Sequence, residues 1–329
     1  MKIIALANGG FALPTLCALR NSPHELVALV AMPDRTRHKN GGKGTSPVRL
    51  ALKDSLAGIP FYDPDNINSP EGVELIRNLA ADLIFICDYG RILSKEILEL
   101  TRYGGVNLHG SLLPKYRGAA PINRSIQAGE RELGVSVIWI EPKVDAGPIL
   151  ETASYVPSLE DTAVEIEDYL SKLGAPLVLR AIDSIESGTA AALPQNNAEA
   201  TKAPKLQKEE GRIDWTRSAL EIVNQYRAFQ PWPRVYADWF KSKSPESPGT
   251  RLILGPFSLC GAQGEDFILD ESATQAQPGE VVLASDNELW IRTGDGAVRA
   301  LAIQPAGRKR MSVDAFLRGY PLALGDRLQ

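Results

Sequence analysis

Cysteine is scarce. Cys17, Cys87 and Cys260 are the only ones in 329 residues, far apart and odd in number. That excludes a disulfide framework, offers no metal-ligand spacing, and suits a reducing cytoplasm. Long apolar runs are missing as well, since a membrane span needs about 20 uninterrupted residues. The opening Met1-Lys2-Ile3-Ile4-Ala5-Leu6-Ala7 is interrupted by Asn8-Gly9-Gly10, too early for a secretory leader. Excess charge is absent: the net value is −4, so any nucleic-acid surface has to be local. What remains is ordinary globular material, 44% hydrophobic and 23% charged, in a chain long enough for two domains.

Two rhythms divide it. In the first half, apolar runs at Lys2–Ala7, Leu26–Met32, Asp82–Cys87 and Val106–His109 alternate with helical stretches at Phe11–Asn21, around Leu75–Ala80 and over Ser94–Thr101. Such alternation predicts a Rossmann-like α/β domain with a parallel sheet. Its ligands belong at the carboxyl ends of the strands, where Asn8-Gly9-Gly10, Asp88-Tyr89-Gly90 and His109-Gly110 fall. From about 187 the pattern dissolves into small and polar residues, the expected connection between domains. Beyond it come one amphipathic helix, Ser218–Phe229, and short strands at Val235–Phe240, Arg251–Leu254, Glu280–Ala284, Glu288–Thr293 and Ala297–Gln304. Gly294-Asp295-Gly296 reads as a hairpin. These predict a small β-barrel, OB-like in size. The expected division is 1–187, a linker at 188–205, and 206–329.

Chemistry gathers between Gly104 and Gly147. On a strand, Asn107 and His109 share one face while Val106 and Leu108 take the other. An amide beside an imidazole at a strand end can hold a carbonyl oxygen as it becomes negative. The competing interpretation is a polar pair satisfied by backbone. His24 near a helix end and His38 in a basic loop are the only other histidines, which favours function for His109. The loop Ser111–Pro121 is read two ways, as a wall for a flat heterocycle or as a tight strand-to-helix connection. Asp145, before Ala146-Gly147, either closes its own turn or offers a carboxylate beside His109. Gly9-Gly10 lacks the GxGxxG spacing of a nicotinamide site, and no GxSxG elbow supports a serine hydrolase built on Ser111.

The run Gly105-Val106-Asn107-Leu108-His109-Gly110-Ser111-Leu112-Leu113-Pro114-Lys115-Tyr116-Arg117-Gly118-Ala119-Ala120-Pro121-Ile122 resembles the signature of the 10-formyltetrahydrofolate-dependent formyltransferases. Asp145-Ala146-Gly147 stands where that family has Asp-Thr-Gly. The stretches Lys205–Trp215, Arg227–Pro233 and Gln304–Ser312 resemble the C-terminal domain of the methionyl-tRNA formyltransferases, which implies that 206–329 is a tRNA-binding domain. The resemblance implies a cytoplasmic enzyme that passes the formyl group of 10-formyltetrahydrofolate to methionyl initiator tRNA, without a metal. It implies catalytic roles for Asn107, His109 and Asp145. The folate would lie against Ser111, Leu112, Leu113 and Pro114 and the segment from Tyr89 to Ile92. The basic loop with Arg35, Arg37, Lys39 and Lys43 would enter the acceptor arm, and a second basic cluster, Arg308-Lys309-Arg310, would contact phosphate too. Asn8-Gly9-Gly10 replaces the family's Gly-Thr-Pro, and Asp88-Tyr89-Gly90 replaces Ala-Tyr-Gly, with Arg91 next in line to pair with Asp88. Those departures keep a second acceptor in view, an amino sugar on a nucleotide. With no apolar edge or coiled-coil pattern asking for a partner, a monomer is expected.

Overall fold

The computed structural model describes residues 1–34, 45–242, 249–259, 275–285 and 287–329. Its chain forms two compact units. One comprises Met1–Ile122, Arg131–Ser158 and Glu165–Lys205; the other comprises Asn123–Glu130, Leu159–Val164 and Leu206–Gln329.

The first unit is built on β1 (Lys2–Ala7), β2 (Glu25–Val30), β3 (Phe61–Tyr62), β4 (Leu83–Cys87) and β5 (Gly105–His109). β6 (Arg117–Gly118), β7 (Leu133–Trp139), β8 (Ile149–Tyr155) and β9 (Lys202–Ala203) follow. Seven of them make one sheet in the order β3-β2-β1-β4-β5-β7-β8. Ile3 through Ala7 are wholly buried, as a central parallel strand covered on both faces must be. The chain winds outward from β1 to β3, then returns to β4 on β1's other side. The switch point therefore lies between β1 and β4.

Helices form where local signals favour them. Helix α1 spans Leu13–Arg20 and α2 spans Pro47–Ala51. In α3 (Pro70–Leu79), Ser69 caps the N-terminus by accepting from Gly72 N at 3.3 Å, Pro70 occupies the first turn, and Val73 and Ile76 face the core. Ser94 caps α4 (Lys95–Glu99) in the same way, and α5 spans Pro121–Gln127.

The expected parallel sheet is only mostly parallel. β7 runs antiparallel to β5, and β8 antiparallel to β7. Between Trp139 and Ile149 the connection is a turn, too short for a crossover helix, so β8 can only double back. No expectation covers α6 (Ala163–Glu186), the 24-residue helix that follows β8. Its buried Ile166, Leu170, Leu177, Val178, Ala181, Ile182 and Ile185 recur at helical spacing, but Pro176 interrupts the pattern.

The second unit holds α7 (Ala219–Ala228), begun by a capping box in which Ser218 and Glu221 satisfy each other's backbone N–H. Its strands are β10 (Tyr236–Phe240), β11 (Thr250–Leu254), β12 (Phe257–Leu259), β13 (Val281–Ser285), β14 (Glu288–Arg292), β15 (Ala297–Ala300), β16 (Ala302–Pro305), β17 (Met311–Ser312) and β18 (Arg327–Leu328). They form antiparallel sheets in the orders β17-β16-β11-β10-β18 and β12-β15-β14-β13. The strand expected over Ala297–Gln304 breaks at Leu301, because it passes from one sheet to the other. Its partner bends opposite, at Gly255 (φ +95°) and Pro256, and Leu301 N donates to Pro256 O at 2.9 Å across the corner. Trp239 Nε1 donates to the buried Asp326 at 2.8 Å. Among the described residues, no helix is long and apolar enough to cross a membrane, and no cluster of metal-ligating side chains forms.

Candidate active site

β5 carries its polar and apolar residues on opposite faces. Val106 and Leu108 are buried, and Leu108 packs so closely on α6 that a Cβ on Gly174 would lie 2.7 Å from its Cδ2. Asn107 is half-buried, and its amide makes no hydrogen bond to any described residue. His109, 6% exposed, is instead held firmly. Its Nε2 lies 2.9 Å from the carbonyl oxygen of Tyr116, which can only accept, so Nε2 carries a hydrogen. Its Nδ1 faces Asp145 Oδ2 at 3.7 Å. A hydrogen on Nδ1 as well makes the ring cationic and turns that approach into an ion pair.

Each partner of His109 is itself fixed. Tyr116 adopts φ +61°, aiming its carbonyl at the ring, while its N–H donates to Thr201 Oγ1 at 2.8 Å. Asp145, at φ +50°, accepts from Gly118 N at 2.9 Å through Oδ2. Gly147 has no room for a side chain, since a Cβ would approach Trp139 O to 1.9 Å. Gln195 Nε2 donates to the carbonyls of Asp145 and Gly147 at 2.9 and 2.7 Å. Arg117 in turn orients Gln195, donating to its Oε1 from Nε and Nη2 at 3.0 and 2.6 Å. β9 pairs in parallel with β6, so the segment expected as a loose linker straps the loop carrying Tyr116 to Gly118. Gln195, Thr201 and Arg117 are absent from the sequence-based site. Their contacts span about 50 to 85 positions, and a Gln-Asn-Asn run carries only the signal of a loop.

Ser111, Leu112, Leu113 and Pro114 form a rigid loop around buried Ser136. Ser136 Oγ donates to Ser111 O at 2.7 Å and accepts from Leu113 N at 3.1 Å. Ser111 Oγ donates to Lys115 O at 2.7 Å. The Leu113–Pro114 bond is cis. Ile92 is exposed, whereas the ring of Tyr89 is buried among Ile4, Val30 and Ile67. Only the Tyr89 backbone thus borders the strand ends. Its hydroxyl and Asn8 Oδ1 are buried without a hydrogen-bond partner among the described residues. Arg35, Arg37, Lys39 and Lys43, with His38, lie outside the described residues, as does Cys260. His24 contacts Asp183 at 3.0 Å, a structural pairing.

The two departures from the family pattern touch. A Cβ on Gly9 would lie 2.4 Å from Asp88 Oδ2, so the bare backbone at Gly9 makes room for the carboxylate after β4. Asp88 adopts φ +53°. It keeps solvent access, but protein surrounds its carboxylate, and this desolvation raises it from the ordinary 3.8 to about 6. Desolvation and the Asp88 charge also raise Glu167 of α6, in that order. Arg91 does not pair with Asp88; its Nη1 donates to Asn66 Oδ1 at 3.2 Å.

A doubly wound sheet that brings an open amide, an imidazole held at Nε2 and a carboxylate facing its Nδ1 together at a strand end defines an α/β protein equipped for acyl-group chemistry. The chain belongs to the formyl transferase family. The family's models match residues 1–182 (formyl transferase) and 205–321 (formyl transferase, C-terminal domain). The methionyl-tRNA formyltransferase of Desulfotalea psychrophila is 37% identical over 97% of this chain and 93% of its own. That of Moorella thermoacetica is 38% identical over 100% and 99%. Among solved structures, HypX from Aquifex aeolicus in complex with tetrahydrofolic acid matches the fold with a TM-score of 0.60 at 19% identity. It covers all of this chain and 50% of that one.

Proposed function

We propose that this enzyme transfers the formyl group of 10-formyltetrahydrofolate to the α-amine of methionyl initiator tRNA. The half-buried Asn107 amide carries the catalytic reading, because it is a donor at the carboxyl end of β5 without a partner among the described residues. The amine nitrogen attacks the formyl carbon, and the carbonyl oxygen becomes an oxyanion. Asn107 donates to that oxygen. His109, with hydrogens on both nitrogens, supplies positive charge beside it, and Asp145 holds the ring through Nδ1. Asp145 accepts the amine proton, directly or through water. Collapse breaks the bond from the formyl carbon to N10, which takes a proton to leave as tetrahydrofolate. The rigid Ser111–Pro114 loop, the Tyr89 backbone and Ile92 border the folate.

Relatives 37% and 38% identical over nearly their full length support tRNA over an amino sugar as acceptor. Arg35, Arg37, Lys39 and Lys43 engage phosphates of the acceptor arm in this reading. The scarce cysteines support a cytoplasmic setting, with the chain working as a monomer. Formyl transfer to methionyl-tRNA, measured beside a nucleotide-linked amino sugar, tests the proposal. Transfer to the tRNA alone is expected; transfer only to the sugar would overturn the acceptor assignment and leave the chemistry standing.

A further inference from the structure

Strand β7 changes character beside the catalytic strand. Along Gly134-Val135-Ser136-Val137 one face carries valines, while the other carries Gly134 and Ser136, neither of them a residue that favours strands. In a central strand such a residue marks the close approach of another part of the chain. Here that part is the Ser111–Pro114 loop. A Cβ on Gly134 would lie 2.5 Å from Leu112 Cδ2 and 2.3 Å from Ala153 O, so Leu112 rests on bare backbone.

Ser136 completes the seat. It is wholly buried, and its hydroxyl serves the loop alone among the described residues, donating to Ser111 O at 2.7 Å and accepting from Leu113 N at 3.1 Å. In the β5–β7 ladder Ser136 is the register partner of His109. Partners across a ladder project to the same face, so one hydroxyl ties the loop to the frame that holds the imidazole. Burying a hydroxyl is costly unless it is hydrogen-bonded. The neighbouring Val135, Val137 and Ile138 show that β7 is otherwise built from apolar groups. The polar group at 136 is therefore explained by what it holds and not by what the sheet needs.

We propose that Ser136 is a positioning residue for the formyl donor: its hydroxyl fixes the loop that walls the folate, and so sets donor affinity without touching the donor. The inference rests on the reading of Ser111–Pro114 as the folate wall, and it holds for either acceptor.

The test compares wild type with Ser136→Ala and with the equal-sized pair Ser136→Thr and Ser136→Val, which differ only in the hydroxyl. Tetrahydrofolate is titrated into each without any acceptor, and formyl transfer is then measured with a thermal-melt control. The Kd for tetrahydrofolate and the KM for 10-formyltetrahydrofolate should rise about tenfold in Ser136→Ala and Ser136→Val, equivalent to ~1.4 kcal/mol. Ser136→Thr should stay close to wild type. Turnover at saturating donor and the KM for the acceptor should not move, whereas a merely stabilising role would shift the melts alone. Equal donor affinity in the Thr and Val variants would overturn the inference even if the Ala variant failed to fold. A fall in turnover with donor KM unchanged would place the effect on His109 and refute the role at the loop. Wild type that binds no tetrahydrofolate would instead overturn the functional reading itself.

Discussion

The carboxyl ends of β5 and β4, on one edge of the sheet, each have an aspartate in left-handed conformation beside them, Asp145 at φ +50° and Asp88 at φ +53°. Their surroundings differ. Around Asp145 the backbone is over-determined: Gly118 N donates to the carboxylate, Gln195 grips the carbonyls of the turn, and Arg117 grips Gln195. Around Asp88 there is a bare glycine, and its carboxylate is raised to about 6 by desolvation. The first end keeps Asn107, His109 and Asp145 and departs from the family pattern at Ala146 alone, while the second departs at Asn8-Gly9-Gly10 and at Asp88. Chemistry that needs atoms placed to a fraction of an ångström calls for the first kind of environment. A surface that fits one face of a bound molecule tolerates the second, provided that changes arrive in compatible pairs.

The largest expected effect lies at the rigid end. Asn107→Ala removes a donor that has no internal role, so the fold should survive while turnover falls by roughly 10²–10³, or ~2.7–4 kcal/mol. Asp145→Ala should cost at least about a hundredfold by freeing His109 from its carboxylate. Steady-state formyl transfer with a thermal-melt control measures both. Near-wild-type turnover in either variant would remove that residue from the mechanism. Gln195→Leu touches no substrate in this account. Its effect should be smaller, about tenfold in turnover with KM for both substrates kept, because the Asp145 turn loses its grip and drifts. Unchanged turnover would mean that β7 and Gly147 alone hold the turn.

What the sequence disclosed follows the same division. Alternation along a five-residue strand placed Asn107 and His109 on one face, and a turn at the next strand's end brought in Asp145. Both are local patterns. Doubly wound architecture was legible because buried strands and helices alternate in composition. The antiparallel β7–β8 hairpin was not, since an apolar run has no direction until its connection is measured. Neither was the strap. Gln195 and Thr201 act through contacts some 50 and 85 positions away, and a polar segment crossing a site looks in sequence like one that hangs free. Arg91 was misassigned for a related reason: adjacency to Asp88 says nothing of direction, and the guanidinium turns to Asn66.

At the second end, the contact between Gly9 and Asp88 predicts coupling. Gly9→Ala alone should destabilise the protein by about 1–3 kcal/mol, the usual cost of forcing a methyl into occupied space. Much of that should vanish in an Asp88→Gly background, which removes the obstructing side chain and suits φ +53°. A double-mutant cycle by denaturant unfolding reads the coupling, with additivity within about 0.5 kcal/mol as the result that would separate the two positions. If they couple, the two departures from the family pattern are one change.

The smallest effect concerns the charge of Asp88 alone. Desolvation by the protein around its carboxylate raises Asp88 from 3.8 to about 6 although the residue itself is exposed, so the folded state holds its proton more tightly than the unfolded state does. That preference stabilises the fold fully below about pH 4 and fades as pH climbs toward 6. Above 6 the ionised carboxylate is a standing liability. Asp88→Asn keeps the shape, tolerates the left-handed backbone and cannot ionise. It should therefore raise the melting temperature at pH 8 and leave it nearly unchanged at pH 4, and it should lower Glu167's proton affinity by removing a like charge. Partial solvent access to Asp88 screens the effect, so a few degrees at most is expected. A variant less stable at pH 8 than at pH 4, relative to wild type, would show that the Asp88 charge is held by a favourable partner, and the contrast between the two aspartates would collapse.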